Sequence, residues 1–162
     1  MARVIRLAVL LLLGIGLAVP AFAGLQFSTD HRSLSFGLMR LGEEKILAQS
    51  GSFHNEITCA STGGAAWYLK VNLVTPLSSG ADEIPIEAFR WQLTQTDGTG
   101  SVSQHQFVPF SLMPDLVYIS GPGEEASGTP VHLQFRYSLT IPNTQTAGSY
   151  LTTVRFTLTE VL

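Results

Sequence analysis

Cysteine is nearly missing from this chain: Cys59 stands alone among 162 residues. No disulfide can form within the chain, so stability has to come from packing unless Cys59 pairs with another molecule. Charge is scarce as well, at 13% of residues, with nine basic against twelve acidic side chains. Nothing resembling a cluster of Lys and Arg is present, which argues against nucleic acid or an anionic membrane surface as a partner. The four histidines, His31, His54, His105 and His132, show no i, i+2 or i, i+4 pairing, so a zinc site has no local support. Carboxylate pairs such as Glu43-Glu44 and Asp82-Glu83 fall in turns, where both members stay solvated. A Gly-x-Ser-x-Gly elbow is also lacking. The expectation is a protein without catalysis, cofactor or metal.

Long hydrophobic runs are limited to one, at the start. Arg3 and Arg6 give a positive beginning, Leu7 to Val19 an apolar run, Pro20 a break and Ala21-Phe22-Ala23 a small-x-small cleavage pattern. That run is shorter than the roughly 20 residues a membrane-spanning helix needs. Residues 1–23 therefore read as a secretory signal peptide and 24–162 as a single domain, long enough to enclose a core. Gly24 at the expected new N-terminus excludes an acylated cysteine there. With the leader gone, seven basic residues face twelve acidic ones, a net −5.

What is present is a β pattern. Val131, Leu133, Phe135, Tyr137, Leu139 and Ile141 alternate with His132, Gln134, Arg136, Ser138 and Thr140, and a period of two marks a strand with one buried face. A second long strand has Tyr150, Thr152, Val154, Phe156 and Leu158 on one face and Leu151, Thr153, Arg155, Thr157 and Thr159 on the other. The Pro142 to Gly148 segment between them reads as a turn. The rest of the chain is expected to build a sandwich on this pair.

Upstream, Leu25 and Phe27 begin a short strand, Leu34 and Phe36 a second ended by Gly37, and Lys45 to Gln49 an edge strand. Glu43 to Ala48 would alternatively allow a single helical turn. Phe53, Asn55, Ile57 and Cys59 share a face, which turns Cys59 inward as a small buried thiol. The strand from Ala65 to Val74 places Trp67, Leu69, Val71 and Leu73 inside and Tyr68, Lys70 and Asn72 outside. Pro76 to Pro85 reads as loop, and Glu87 to Leu93 as a strand with Phe89, Trp91 and Leu93 on one face. Asp97-Gly98 centres a turn. Beyond it, Gln106 to Leu112 and Leu116 to Ser120 read as strands. Gly121 to Gly128, with the adjacent acids Glu124 and Glu125, reads as a solvated loop: a calcium loop spaces its carboxylates at alternate positions.

Two families share these landmarks. Trp67-Tyr68-Leu69 after Gly63-Gly64, together with Tyr150 to Leu158, resembles the early Trp-x-Leu and the late Tyr-x-x-x-Leu-Thr-Trp-x-Leu of the WxL surface domain. Phe156 stands where that family has its late Trp, and Val154-Arg155 where it has Leu-Thr. Phe36-Gly37, Thr58-Cys59 and the Gly148-Ser149-Tyr150 entry are similar to the spore coat protein U domain and the pilins of archaic chaperone–usher systems. That second group normally pairs the cysteine with one before the Phe-Gly, and nothing here is that partner. The first resemblance implies a domain held non-covalently at a cell surface, often by wall polymer. The second implies a subunit of a surface filament or coat that completes itself by strand exchange.

The expected architecture is a single antiparallel β-sandwich, immunoglobulin-like or Greek-key in broad outline. Its motif residues are Phe36, Gly37, Cys59, Trp67, Leu69, Tyr150, Phe156 and Leu158. The expected role is a secreted bacterial surface module, exposed at the cell surface or in the periplasm, whose partner is a surface polymer or a sister protein. A pilin or coat subunit that homopolymerises, or a self-contained carbohydrate-binding module, is the alternative. Surface binding, if it uses side chains, would fall on Tyr68, Tyr118 and the hydroxyl row of Thr153 and Thr157 around Arg155. Val161-Leu162 is expected to extend the last strand into the core or onto a partner.

Overall fold

The structure is a computed structural model that describes residues 24–48, 53–103 and 105–162, so the leader segment, Gln49 and Ser52 lie outside the described residues. Twelve strands follow in order: β1 Leu25–Thr29, β2 Glu44–Leu47, β3 Asn55–Ser61, β4 Tyr68–Leu73, β5 Leu77–Ser79, β6 Asp82–Ile84, β7 Phe89–Thr96, β8 Ser101–Val102, β9 Val108–Pro109, β10 Asp115–Ile119, β11 Val131–Thr140 and β12 Val154–Thr159. The one helical element among the described residues is a 3-10 turn, Ile86–Ala88.

Two antiparallel sheets face each other. One has the order β1-β3-β11-β7-β9, with β2 continuing the β3 side of β11; the other has the order β12-β4-β10-β8. From β7 onward every link changes sheet, so β7, β9 and β11 lie in the first and β8, β10 and β12 in the second. Among the described residues the sole pair of consecutive strands that hydrogen-bond to each other is the β5–β6 hairpin. This corrects the reading of the last two strands as a pair joined by a turn. β11 and β12 are long and alternate as expected, but the 141–153 link carries the chain across the sandwich, and each strand pairs with partners far away in sequence.

Both sheets present alternate residues to one core. β3 contributes Ile57 and Cys59, β4 Leu69, Val71 and Leu73, β7 Phe89, Trp91 and Leu93, and β11 Val131, Leu133, Phe135, Tyr137 and Leu139. All are buried, as the two-residue period requires, though Asn72, expected outside on β4, is buried as well, its amide donating to Leu112 O at 3.2 Å. Aromatic contacts join the layers: Phe135 meets Trp91 within its own sheet at 6.2 Å and the β12 ring of Phe156 edge-on at 5.1 Å.

Three further expectations are corrected. The Leu34–Phe36 stretch is extended but joins no ladder, and Phe36 instead packs edge-on against Phe89. Pro76 to Pro85 is not plain loop, since Leu77 and Ile84 are buried and seat the β5–β6 hairpin. Gln106 to Leu112 supplies only the two-residue β9.

Truncating Phe135 to Ala removes the ring that ties the two sheets together. The expected cost is about 3–5 kcal/mol in urea unfolding, against less than about 0.5 kcal/mol for Thr157→Ala on the exposed face of β12. Equal losses in the two variants would contradict this placement of the core.

Candidate functional site

β12 is an edge strand of the second sheet. β12 pairs with β4 on one side, Val154 opposite Leu73 through Thr159 opposite Tyr68, and with no strand on the other among the described residues. Antiparallel ladders direct the N–H and C=O of alternate residues to alternate sides. Thr153 O accepts from Val74 N at 2.8 Å, and Leu151 exchanges both bonds with Ser78, so the odd-numbered residues face inward along the sheet. The N–H and C=O of Thr152, Val154, Phe156 and Leu158 therefore face the open edge. The side chains of Val154, Phe156 and Leu158 form the inner face of β12, yet remain only half-buried where the other core strands are closed, and the Thr152 hydroxyl, just before the strand, donates to Thr75 O at 2.6 Å.

An apolar groove of about 1090 Å³ lies beside this edge. One wall is the ladderless 32–41 segment and the other is 145–154, with Leu77, Ile84, Phe89 and Leu139 at the floor. The first wall is held at few points. Lys45 Nζ donates to Phe36 O at 2.5 Å, and Gly42 N donates to Ile141 O at 2.8 Å. Gly37 at φ +66° makes the bend that takes the chain past Phe36, leaving Leu38 fully exposed and Leu41 57% exposed. The second wall is stiffer, because Gln145 Nε2 donates to the Tyr150 hydroxyl, which donates to Thr146 O, each at 2.7 Å. Leu151 at its rim is 72% exposed.

The predicted motif residues divide between core and groove. Cys59, Trp67 and Leu69 are fully buried, whereas Phe36, Tyr150, Phe156 and Leu158 are half-buried around the open side. Of the predicted surface set, Thr153, Arg155 and Thr157 are exposed on the outer face of β12, with Tyr68 half-buried on the same sheet face opposite Thr159. Tyr118 is a correction: it is completely buried. A bulge between Leu116 and Tyr118 shifts the β10 register, so Val117 and Tyr118 both point into the core and the two-residue period breaks. The Val161-Leu162 end does not enter the core, since both residues are 73% exposed past the end of β12.

The acidic loop is also corrected. Glu124 is buried at 8% exposure, and its carboxylate accepts from Thr99 N, the Thr99 hydroxyl, the Tyr118 hydroxyl and Gly121 N at 2.5–3.1 Å. Burial pushes this carboxyl up, but the hydrogen bonds from Gly121, Thr99 and Tyr118 outweigh it and hold the group below its ordinary value. Its oxygens are thus occupied by donors. Sequence reasoning missed Glu124 because its carboxylate joins its own loop and the end of β10 to Thr99, 25 positions away; the glycines at 98, 100 and 121 were the available signal.

Other reactive groups are spent or dispersed. Asp97 accepts from His132 N and pairs with His132 Nδ1 at 2.8 Å on an exposed turn, which lifts the imidazole above its ordinary value. Among the described residues no three His, Cys, Asp or Glu side chains cluster as metal ligands would, and no helix is long and apolar enough to cross a membrane. No protein-family model matches the chain, and no characterised protein matches it in sequence.

Burial pushes the Cys59 thiol up to about 12. A thiol reagent at pH 8 is therefore expected to leave the folded chain unlabelled and to modify it fully once unfolded in urea. Rapid labelling of the native chain would contradict the placement of Cys59.

Proposed function

We propose that this chain is a non-catalytic structural module of the bacterial cell surface that assembles by accepting an extended segment of another protein chain along β12. The observation that carries the reading is the coincidence of two vacancies in one place. The N–H and C=O groups of Thr152 and Val154 face an unpaired edge at the place where these residues also line the groove, whose floor is Leu77, Ile84 and Phe89, and Phe156 continues the edge beyond it. An added strand would satisfy the backbone groups and press alternate apolar side chains into the groove. An exposed edge of this kind is ordinarily blunted by a charge, a proline or a bulge. Along the inward positions of β12 there is none, and the one charge, Arg155, points outward. The reading of residues 1–23 as a secretory leader and the resemblance to pilin and coat domains favour an extracytoplasmic site for such assembly.

The WxL-like reading, a monomeric module that binds a wall polymer or sister protein with a surface rather than an edge, is favoured by a different observation. Thr153, Arg155 and Thr157 stay exposed in one row, and no carboxylate pairs with Arg155 among the described residues. The two readings separate by size and stability.

Strand addition predicts that the purified chain associates as its concentration rises in light scattering and that calorimetry shows a higher transition for the associated form. Thr152→Pro removes an N–H aimed at the open edge and no ladder bond to β4, together with the Thr152 hydroxyl's bond to Thr75 O; it is expected to suppress association, whereas Thr152→Val, which loses the hydroxyl bond alone, is not. A monomer with one sharp transition, unchanged by Thr152→Pro, would overturn the strand-addition reading and leave the surface-binding one.

A further inference from the structure

The end of the sandwich opposite the groove carries a device that assembly does not require. β4 runs from Tyr68, beside the groove-distal loops, to Leu73, beside Thr153 at the groove. At the distal end Trp67 is fully buried, its ring 5.3 Å from that of Tyr118. Its indole N–H donates to Glu124 O at 3.2 Å, and its backbone N–H donates to the Ser120 hydroxyl at 2.9 Å. The Glu124 side chain then reaches across to the turn after β7, taking both the N–H and the hydroxyl of Thr99, while the Tyr118 hydroxyl accepts from Gly100 N at 2.7 Å. Gly64 N donates to Glu125 O and Gly128 N to Ser61 O, so the same loop also clasps the link between β3 and β4.

Three glycines make room for this arrangement. A Cβ at Gly98 or Gly100 would collide with the Tyr118 ring or hydroxyl, and one at Gly121 with the Thr99 side chain. The chain thus approaches itself closely at three points, all around one carboxylate. No Lys or Arg forms an ion pair with Glu124 among the described residues. The titratable groups around it are Tyr118 from β10, Glu125 beside it, and Asp97 in the β7–β8 turn, itself bound by His132 of β11; Glu160, after β12, faces the neighbouring Gly63. The charge of Glu124 is therefore balanced by hydrogen-bond donors alone.

We infer that Glu124 is an acid-released latch: as a carboxylate it ties the 97–100 turn and the 121–128 loop to the Trp67–Tyr118 end of the sandwich, and protonation frees that end while the two sheets stay paired. Two of its donors, Thr99 N and Gly121 N, are backbone groups that cannot reverse to accept, so a proton on the carboxyl weakens the bonds that fold both loops. The sign follows from the lowered folded value. The stabilisation is fully present above the ordinary Glu value of 4.5 and is lost as pH falls through the lower value of the folded state. Burial pushes the Asp97 carboxyl up, but the hydrogen bonds from His132 hold it below its ordinary value, so it also titrates in acid and Glu124→Gln is what separates the two carboxyls; the His132 imidazole is raised and loses its proton at higher pH.

The test is a pH titration of the whole chain by amide NMR, following Thr99, Gly121 and, as a reference, the β11 amides from Leu133 to Leu139, since His132 N donates to the titrating Asp97. Thr99 and Gly121 are expected to move together below pH 4.5 while β11 stays fixed. Glu124→Gln should abolish that step. Tyr118→Phe keeps the ring against Trp67 but loses one donor, and should raise the midpoint by about one pH unit, the equivalent of one charge-assisted hydrogen bond. If Glu124→Gln does not fold, Tyr118→Phe alone decides. A midpoint unchanged in Tyr118→Phe, a step that persists in Glu124→Gln, or Thr99 and Gly121 holding until β11 unfolds with them, would each overturn the latch.

Discussion

The structure depends on β11. Its ten residues are hydrogen-bonded to β7 along one side and to β3 and then β2 along the other, so one strand orders most of the first sheet. Its inner face, from Val131 to Leu139, lies in the middle of the core and is buried along its whole length. A strand enclosed on both edges and on one face has nowhere to slip, because a one-residue shift would turn five large apolar side chains to the outer face. Even Ser138 on the outer side is fully buried, its hydroxyl donating to Glu44 of β2. β12 has the same alternation and almost none of this enclosure. It is bonded on one edge and half-covered on its inner face, so two similar sequences end in very different degrees of enclosure.

Local pattern was legible wherever one strand faces one core. The inward sets of β3, β4, β7 and β11 follow directly from a period of two, and Cys59 and Trp67 lie where alternation puts them. Pairing was not legible. Consecutive strands switch sheets, so β11 and β12 look like partners in the sequence but bond to β3 and β7 on one hand and β4 on the other. Nothing in a turn such as Pro142 to Gly148 distinguishes a hairpin from a link that crosses the sandwich. The ladderless 33–37 stretch has strand composition but joins no ladder, while β2 pairs with the second half of β11.

The site was half-visible for related reasons. Thr153, Arg155 and Thr157 could be placed on the outer face of β12 by parity alone. Tyr118 could not, since parity fails at a bulge and the bulge leaves no mark in Leu116-Val117-Tyr118. Glu124 was read from its neighbours, glycines and a second acid, as a solvated residue. Its actual surroundings are set by Thr99, 25 positions away, and by Tyr118. Buried polar groups are recognised by their partners, and partners that meet only in the folded state cannot be read from one stretch.

The two ends of the molecule are thereby unlike. The Trp67 end is tied by hydrogen bonds among Ser120, Thr99, Tyr118 and Glu124, whereas the other end exposes Leu38, Leu41 and Leu151 around a groove. The most direct measurement of this asymmetry is residue-by-residue amide hydrogen exchange along β12. An open edge predicts alternation: slow exchange at Arg155 and Thr157, whose N–H groups bond to β4, and fast exchange at Val154, Phe156 and Leu158, whose N–H groups face the unpaired side. Uniform protection along β12 in the isolated chain would contradict it, because the edge would then already be covered.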